Sequence, residues 1–389
     1  MKGIYLDYAA STPVDPAVEK AMKPYFGKIF GNPNALHGFG QEASRAVFAA
    51  RRKIAESIGA DYKQIIFTGS ATEANNLALQ GVARGYRIQN SEFRKKAISK
   101  FPYSKSYILN PRIIVSAIEH DSILETCKDL AKDGVEIVYI PVNREGIVDL
   151  KKLESALNER TVLVSVMYAN NEIGTIQPIR EISRIINNFY SMMKPLFHTD
   201  AVQAFQYLNC NVNDLGVDLM TLSAHKIYGP KGIGALYVRD PKALKPIITG
   251  TDNVPYIVGF AKAAEIADRM CEKESKRTAG LRNYFWAKLH KTLPKLELNG
   301  SMRNRSPNNL NVYFPGQNAH ELQIKLDLAG VAASPGAACT TRISRSSFVL
   351  EEMGFSKERA SGSLRFSLGR QTAKKDLDYV TSVLIKLLK

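Results

Sequence analysis

Short apolar runs alternate with amphipathic stretches from about residue 40 to residue 245. Such apolar runs are typical of buried strands, and the stretches between them have helical spacing. The runs are QIIFTGS (64–70), RIIVSAI (112–118), VEIVYIPV (135–142), TVLVSVMYAN (161–170), PLFHTDA (195–201) and VDLMTLS (217–223). The alternation predicts an α/β fold with a mostly parallel sheet that is covered by helices on both faces.

The pattern changes after Asn253. Residues 254–293 have the character of one long helix or of a broken pair. Short strands are predicted in NNLNVYF, AGVAASPG and GSLRFSLG, and an amphipathic helix in KKDLDYVTSVLIKLLK. A chain of 389 residues is long for one core. We therefore predict a large α/β domain over residues 16–253, and a smaller α+β domain that combines residues 1–15 with residues 254–389.

The cysteines are far apart in the chain and form no CxxC pair; they are Cys127, Cys210, Cys271 and Cys339. This spacing argues against a metal cluster or a disulfide framework and fits a reducing compartment. No apolar stretch approaches the roughly 20 residues of a membrane helix. Asp7 lies where an export signal would be apolar. We expect a cytoplasmic protein with no membrane contact and no resident metal.

Lysine and arginine (53 residues) outnumber aspartate and glutamate (37), which leaves a formal charge of +16. Such a surplus occurs on lysine-rich solvated surfaces and on proteins that bind nucleic acids or acidic partners. The charge by itself does not decide between these classes.

Polar residues follow the predicted strands, at the positions where parallel sheets bind their ligands. They are Gly69-Ser70-Ala71-Thr72, Glu119-His120, Asn170-Asn171-Glu172, Asp200 and Ser223-Ala224-His225-Lys226. Each group on its own also fits a helix cap, a turn or a solvated side chain. Only the combination indicates a particular chemistry.

As a set, these residues match the needs of pyridoxal phosphate (PLP), which requires a lysine, an acid for its ring N–H and a phosphate site. Lys226 ends an apolar run and precedes the turn GPKGIG (229–234), which aims its amine. A buried carboxylate at Asp200 needs a partner. The predicted helix start at Ala71 offers N–H groups and a positive dipole end to a phosphate. The sequence therefore predicts a PLP site.

The chain resembles the cysteine desulfurases of the class-V aminotransferase superfamily from YLDYAASTPVDPAV to SLRFSLGR. The matching stretches are GNPNALHGFG, FTGSATEANN, EHDSILETC, YANNEIGTIQPI, HTDAVQAF, SAHKIYGPKGIGALYVR, TDNVPYIVGF, SPGAACTT and LRFSLGR. The resemblance implies the type I fold of PLP-dependent transferases, with a mostly parallel, seven-stranded sheet.

The resemblance also implies a role for each matching residue. Lys226 would carry PLP, Asp200 would pair with the pyridine nitrogen, and Gln203 would contact the ring hydroxyl. His120 would stack on the ring and move protons. The other cofactor contacts would come from Ala71, Thr72, Asn171, Ser223, His225 and Thr251, the last reaching the phosphate of the neighbouring subunit in a homodimer. The substrate carboxylate would meet Asn171 and Arg365, with Asn32 close by.

Cys339 lies among small and polar residues, AASPGAACTTRISRSS (332–347), which are typical of a mobile loop. The other three cysteines fit the usual small, buried side chain. The resemblance implies that the Cys339 thiolate attacks the sulfur of L-cysteine, which gives a persulfide and L-alanine. Arg342 or His120 would aid its deprotonation. Cys339 would also be a transient iron–sulfur ligand.

The implied function is therefore a homodimeric cysteine desulfurase that passes sulfur to an iron–sulfur scaffold protein or to an acceptor for RNA thiolation. A selenocysteine lyase shares the scaffold, and another enzyme of the class-V aminotransferase fold would not need Cys339. A catalytically inactive nucleic-acid binder is the alternative that the charge suggests. The presence of Lys226, Cys339 and Arg365 argues against that alternative.

The chain departs from the family pattern in two places. Residues 246–253 lack a glycine-rich stretch, which indicates either a true deletion or an omitted loop. Residues 84–112 form an insertion in which basic residues alternate with aromatic ones. This composition suits contact with tRNA or an acidic protein, and it equally suits a helical hairpin with solvated lysines.

Overall fold

The computed structural model describes residues 3–100, 111–190, 194–244, 250, 252–336 and 346–388, with the backbone alone given for 86–100. Its strands are β1 Ile4–Tyr5, β2 Ile65–Thr68, β3 Arg112–Ser116, β4 Glu136–Ile140, β5 Thr161–Ser165, β6 Leu196–Asp200, β7 Leu219–Ser223, β8 Gly234–Val238, β9 Glu297–Leu298, β10 Asn309–Tyr313, β11 Val331–Ala332 and β12 Ser363–Ser367. Its helices are α1 Pro16–Met22, α2 Gly38–Ser57, α3 Ala71–Lys100, α4 Asp121–Lys132, α5 Leu150–Ala156, α6 Ile179–Asn188, α7 Val212–Leu215, α8 Val254–Thr292, α9 Ala319–Leu328, α10 Phe348–Glu352, α11 Lys357–Ser361 and α12 Lys374–Leu388.

Seven strands form the main sheet in the order β2-β8-β7-β6-β5-β3-β4. The strands from β7 to β4 pair in parallel, and β8 runs antiparallel to both β2 and β7. The predicted mostly parallel, seven-stranded sheet is therefore confirmed. The short GPKGIG turn explains the antiparallel pair, because a parallel return would need a crossover of a dozen residues or more.

Successive residues of the central strands enter two different hydrophobic clusters, one on each face of the sheet. Ile113 and Val115 pack in the cluster that holds the apolar residues of α3 and α4. Ile114 lies in the cluster that is built by α2, α6 and α8. This alternation follows from the two-residue period of a strand, and it requires apolar residues at every position when both faces are covered.

A third cluster lies around β10, β12, α9 and α12, and it contains Phe285, Val312 and Phe366. The sheets there are β12-β10-β9 and the pair β1-β11. Residues 254–292 form one helix, α8, rather than a broken pair. Its early residues, such as Phe260, pack in the cluster of the large sheet, while Phe285 packs in the third cluster. The domain division after Asn253 stays a prediction.

The backbone of α3 continues through Lys100 and thus into the 84–112 insertion. The alternation of basic and aromatic side chains in the insertion lies mostly outside the described residues. In the part of the chain that the structure describes, no helix is long and apolar enough to cross a bilayer.

Candidate active site

A cavity of about 360 Å³ lies at the carboxyl ends of the parallel strands, between the main sheet and β12. Its lining brings together residues from all five predicted strand-end groups and from the N-terminal segment. The lining residues include Ala9, Ala10, Ala71, Thr72, Asn75, Glu119, His120, Asn171, Asp200, Gln203, His225, Lys226 and Arg365. The sheet topology therefore assembles most of the predicted cofactor residues at one place.

The first turn of α3 closes one end of the cavity. The Ser70 hydroxyl accepts a hydrogen bond from the N–H of Glu73 at 3.1 Å, and the Glu73 carboxylate accepts from the N–H of Gly69 at 2.8 Å. The first two helical N–H groups, of Ala71 and Thr72, have no acceptor within the helix. A Cβ at Gly234 would lie 2.8 Å from the Ala71 nitrogen, so only glycine allows β8 to approach this turn. The result is an anion cradle of backbone donors.

Asp200 ends β6 and is 6% exposed. Its Oδ1 accepts from the N–H of Val202 at 2.9 Å, and its Oδ2 accepts from the Asn75 amide at 2.8 Å. A buried carboxylate that is held by such donors is a strong acceptor for a ring N–H. The Gln203 amide, which also lines the cavity, donates to the carbonyl oxygen of Ala9 at 3.0 Å.

Lys226 follows β7 in a short 3₁₀ turn, and its Nζ donates to the carbonyl oxygens of Ala9 and Ala10 at 2.6 and 2.7 Å. Its neighbour His225 contacts the Ser223 hydroxyl through Nδ1 at 3.0 Å. Burial, with a contribution from the Lys226 charge, lowers the pKa of His225 to about 4. His225 is therefore a neutral hydrogen-bonding group at neutral pH.

The sharp turn after Lys226 depends on Tyr228, which has a left-handed backbone with φ of 66°. That conformation costs a non-glycine residue about 1–2 kcal/mol, so surrounding contacts must hold it. The Thr12 hydroxyl accepts from the N–H of Tyr228 at 2.8 Å, and the Tyr228 hydroxyl accepts from the N–H of Arg370 at 2.6 Å. The Arg370 guanidinium lies 4.0 Å from the ring centre.

Arg365 on β12 is 2% exposed at the opposite wall of the cavity. Its guanidinium donates to the backbone oxygen of Asn171 at 2.9 Å and to the Asp7 carboxylate at 2.7 Å. The remaining Nε is buried without a hydrogen-bond partner among the described residues. A planar cation with spare donors on a cavity wall is suited to a carboxylate ligand.

Two of the strand-end acids, Glu119 and Glu172, were given no role by sequence reasoning, and both lie in the cavity wall. Burial raises the pKa of Glu119 well above its ordinary value, with a smaller contribution from the nearby Asp200. The N–H of Met167 donates to its Oε1 at 2.7 Å. Burial also raises the pKa of Glu172, whose Oε2 accepts from the Ser347 hydroxyl at 2.5 Å. The strand-end position was the available signal for both.

Some predicted residues are not brought to the cavity. Asn32 lines a separate depression together with Phe30 and Asp252. Ser223 is buried behind His225. Thr251, Cys339 and Arg342 lie outside the described residues.

The cysteines that the structure describes fit their predicted structural role. Cys127 and Cys210 are buried, and Cys271 is partly buried. Burial raises the pKa of Cys127 to about 12, so this thiol is not a nucleophile at neutral pH.

A family model of aminotransferase class V matches residues 4–93, 105–250 and 243–380. A cysteine desulfurase IscS from Dictyoglomus turgidum is 42% identical, with 99% of this chain and 94% of that protein covered. The chain belongs to the class-V aminotransferase family, in its cysteine desulfurase branch. A cysteine desulfurase IscS from Clostridium botulinum is 37% identical over 100% of this desulfurase and 95% of that protein.

Solved structures agree with this placement of the desulfurase. A structure titled NifS-like protein has a TM-score of 0.87 and 33% identity, and the match covers 99% of each chain. A structure titled SspA in complex with cysteine has a TM-score of 0.76 and 33% identity, covering 94% of this chain and 98% of that one. The fold is thus that of the family.

Proposed function

We propose that this chain is a PLP-dependent cysteine desulfurase, which converts L-cysteine to L-alanine and transfers the sulfur. The observation that carries the proposal is the meeting of Lys226, Asp200 and the first turn of α3 in one cavity. The relatives named above are cysteine desulfurases, so the selenocysteine alternative has no comparable support.

The residues fit PLP at three independent points. The N–H groups of Ala71 and Thr72 form an anion cradle that Gly234 keeps accessible. The buried Asp200 carboxylate is a partner for a pyridinium nitrogen, and the Lys226 side chain lines the same cavity. When bound there, the cofactor supplies an electron sink for charge at the substrate α-carbon.

The chain's own residues then orient the substrate and manage its proton. Arg365 binds the carboxylate of cysteine through the guanidinium donors that face the cavity. The Lys226 amine accepts the proton that leaves the α-carbon. The carbonyl oxygens of Ala9 and Ala10, at 2.6 and 2.7 Å from Nζ, stabilise the ammonium that results. Burial of the site strengthens each of these charge contacts.

Cys339 is the proposed nucleophile. Its thiolate attacks the substrate sulfur and forms the sulfur–sulfur bond of the persulfide. The bond between the substrate Cβ and sulfur breaks, and Cβ keeps the electron pair and takes up a proton to become the methyl group of L-alanine. The segment 337–345 lies between Gly336 and Ser346, and the structure places Gly336 beside the Glu172 carboxylate at the cavity. Ser347, on the other side of the segment, donates its hydroxyl to the same Glu172 carboxylate, so both described flanks of the segment lie at the cavity.

Sulfide and alanine release from purified holoenzyme tests this function. The native protein should release both in equal amounts from L-cysteine in the presence of a reducing thiol. Cys339→Ala should retain the cofactor absorbance and lose sulfide release by more than 100-fold, while Cys271→Ala, a matched control, should keep native rates. Retained activity in Cys339→Ala would refute the nucleophile assignment. A much higher rate with selenocysteine than with cysteine would refute the substrate.

We also propose that the enzyme is a homodimer. A set of apolar side chains is exposed around the 26–39 segment: Phe26 (62%), Phe30 (70%), Leu36 (91%) and Phe39 (59%). Such a patch is typical of a protein interface. The patch adjoins Asn32 and Asp252, so a second copy seated there would bring Asn32 towards an active site. Phe30→Glu should convert the dimer to monomer in sedimentation measurements, whereas Tyr190→Glu, at a side chain 98% exposed, should not.

The sulfur acceptor is proposed to be an iron–sulfur scaffold protein or a protein of RNA thiolation, in the cytoplasm. The basic insertion 84–112 is the proposed contact for an acidic protein or tRNA. Lys95, Lys96 and Lys100 together changed to Glu should weaken acceptor or tRNA binding at low salt and leave sulfide release to small thiols intact. If the native protein and the triple variant bound the acceptor and tRNA with equal affinity, the insertion would have no role in binding either.

A further inference from the structure

One face of strand β10 is polar although it is buried. Leu310 and Val312 pack in the hydrophobic cluster around Phe285, whereas Asn309 and Asn311 alternate with them and lie on the opposite face. The exposed fractions of the two asparagines are 3% and 1%. Burial of a carboxamide costs free energy unless its hydrogen bonds to water are replaced, so both amides must be paired within the protein.

The two amides donate to the same backbone oxygen. The Asn309 Nδ2 lies 3.2 Å and the Asn311 Nδ2 lies 3.1 Å from the carbonyl oxygen of Glu172. The Asn311 amide is also oriented from its other end, because its Oδ1 accepts from the Asn299 Nδ2 at 2.7 Å. The oxygen of Asn299 accepts in turn from the Arg359 guanidinium, which can only donate. A backbone oxygen can only accept, so both NH₂ groups face Glu172.

The neighbouring carbonyls of this loop are held from the same side. The Asn171 oxygen accepts from Arg365 on β12 at 2.9 Å, and the Ile173 oxygen accepts from Arg305 at 2.7 Å. Three successive carbonyls therefore take donors from β10, from β12 and from the segment before β10. On the other side, the Asn170 Oδ1 accepts from the backbone N–H groups two and three residues further on, at 2.9 and 3.0 Å.

These hydrogen bonds restrain the loop, and the loop decides which side chain faces the substrate. Asn171 and Arg365 are among the residues that line the cavity, whereas Asn309 and Asn311 lie behind the loop. A shift of the Glu172 peptide would turn the Asn171 amide away from a carboxylate that is bound by Arg365. Misplacement of a binding group by about 1 Å is enough to cost a large factor in function.

Given the proposed function, on which this inference rests, we propose that Asn309 and Asn311 are positioning residues for the substrate carboxylate. They hold the Glu172 carbonyl and thereby direct the Asn171 amide to the carboxylate beside Arg365. Neither asparagine touches the substrate. Because two donors share one acceptor, either of them suffices to hold the loop, and the loss of both releases it.

Binding measurements that separate the carboxylate from the amine test this proposal. L-Alanine and ethylamine, which lacks the carboxylate, are titrated against holoenzyme by the change in cofactor absorbance. The ratio of their dissociation constants reports the carboxylate contribution, which a general loss of stability leaves unchanged. Asn309→Ala and Asn311→Ala should each weaken alanine binding less than about threefold, and the double variant at least about tenfold, with ethylamine binding unchanged.

Three results would overturn the proposal. The first is a native ratio in the double variant, and the second is an equal weakening of both ligands. The third is a native protein that binds alanine and ethylamine equally, because it would have no carboxylate contribution to lose.

A second set of variants tests whether the effect passes through Asn171. Asn171→Ala should lower the carboxylate contribution by itself. In that background, Asn309→Ala and Asn311→Ala together should lower it by less than about twofold further, because the side chain that they direct is already absent. A further tenfold loss would show that the two asparagines act by another route, and it would overturn the proposal.

Ser363→Ala is the matched control. Ser363 is 2% exposed on β12, and its hydroxyl accepts from the Asn299 amide at 2.8 Å and donates to the Arg359 carbonyl oxygen rather than contacting the loop. This variant should lower stability and keep the native ratio of dissociation constants. A change of about tenfold would assign the effect to general loosening and overturn the proposal.

Two further arrangements keep the test decisive. If the alanine double variant does not fold, Asn309→Ser with Asn311→Ser replaces it, because a serine hydroxyl is one bond shorter than the amide and does not reach the Glu172 carbonyl. If the native holoenzyme released no sulfide from L-cysteine, the proposed function would fail. The ratio of dissociation constants would still decide the positioning role, because it requires no turnover.

Discussion

Replacing Asp7 by Asn should make the enzyme bind the carboxylate of its substrate more tightly. Asp7 is the anionic partner of Arg365, at 2.7 Å, and the Arg365 side chain is 2% exposed. Asn is isosteric and keeps a carbonyl acceptor at the same position. The substitution therefore removes a charge and leaves the orientation of the guanidinium intact.

The magnitude follows from the separation and the partial burial. Two unit charges about 4 Å apart attract by about 4 kcal/mol at an effective dielectric constant of 20. The neutral hydrogen bond that remains, and the relief of Asp7 desolvation, offset about half of this. The unliganded enzyme should thus lose about 2 kcal/mol of stability. A ligand carboxylate that takes over the charge pair regains that amount, which corresponds to binding up to about 30-fold tighter.

The assay compares L-alanine with ethylamine, which is the same amine without the carboxylate. Both are titrated against native and Asp7→Asn holoenzyme by the change in cofactor absorbance. Alanine should bind about 10- to 30-fold more tightly to the variant, and ethylamine should bind equally to both. Asp15→Asn is the control, because Asp15 pairs with Arg370 and not with Arg365. Weaker binding of alanine, or an equal change for ethylamine, would refute the reasoning.

Two further predictions concern stability. Tyr228→Phe leaves the Arg370 N–H without its acceptor while the ring stays in place. The free energy of unfolding in urea should therefore fall by about 1–3 kcal/mol, with an unchanged cofactor absorbance band. A change below about 0.5 kcal/mol would show that this hydrogen bond does not stabilise the turn at Tyr228. Burial lowers the pKa of His198 to about 3, so the unfolded chain binds the extra proton between pH 6.5 and 3, and stability should fall by about 1.4 kcal/mol per pH unit on acidification through that window. His225, with its pKa near 4, adds to this slope. In a His198→Gln protein the slope should be smaller by the contribution of one proton, about 1.4 kcal/mol per pH unit. An unchanged slope would argue against a neutral, buried His198.

Much of the fold could be predicted because its signals are local. The continuous apolar run in strands such as RIIVSAI indicates burial on both faces, and the mostly parallel sheet predicted from it is confirmed. The strand-end rule placed Asp200, His120 and Lys226 at one edge of that sheet, where the structure has them. These inferences need no knowledge of distant contacts.

The tertiary structure alone decided what holds those residues in place. Asp7 meets Arg365 across 358 residues of sequence, and Tyr228 meets Arg370 across 142. No periodicity records such pairs, because they result from the packing of the N-terminal segment and β12 against the main sheet.

The same limit applies to charge and protonation. The sequence identifies His120 as a titratable group, but only the folded helix cap brings the N–H of Ser122 to its Nδ1, at 3.1 Å. Likewise, the sequence does not distinguish Glu119 from an ordinary acid, whereas burial in the folded protein raises its pKa. The pattern of residues along the chain determined which chemistry the site could hold. Packing determined where each proton and charge resides, because desolvation and hydrogen-bond direction exist only once the groups are brought together.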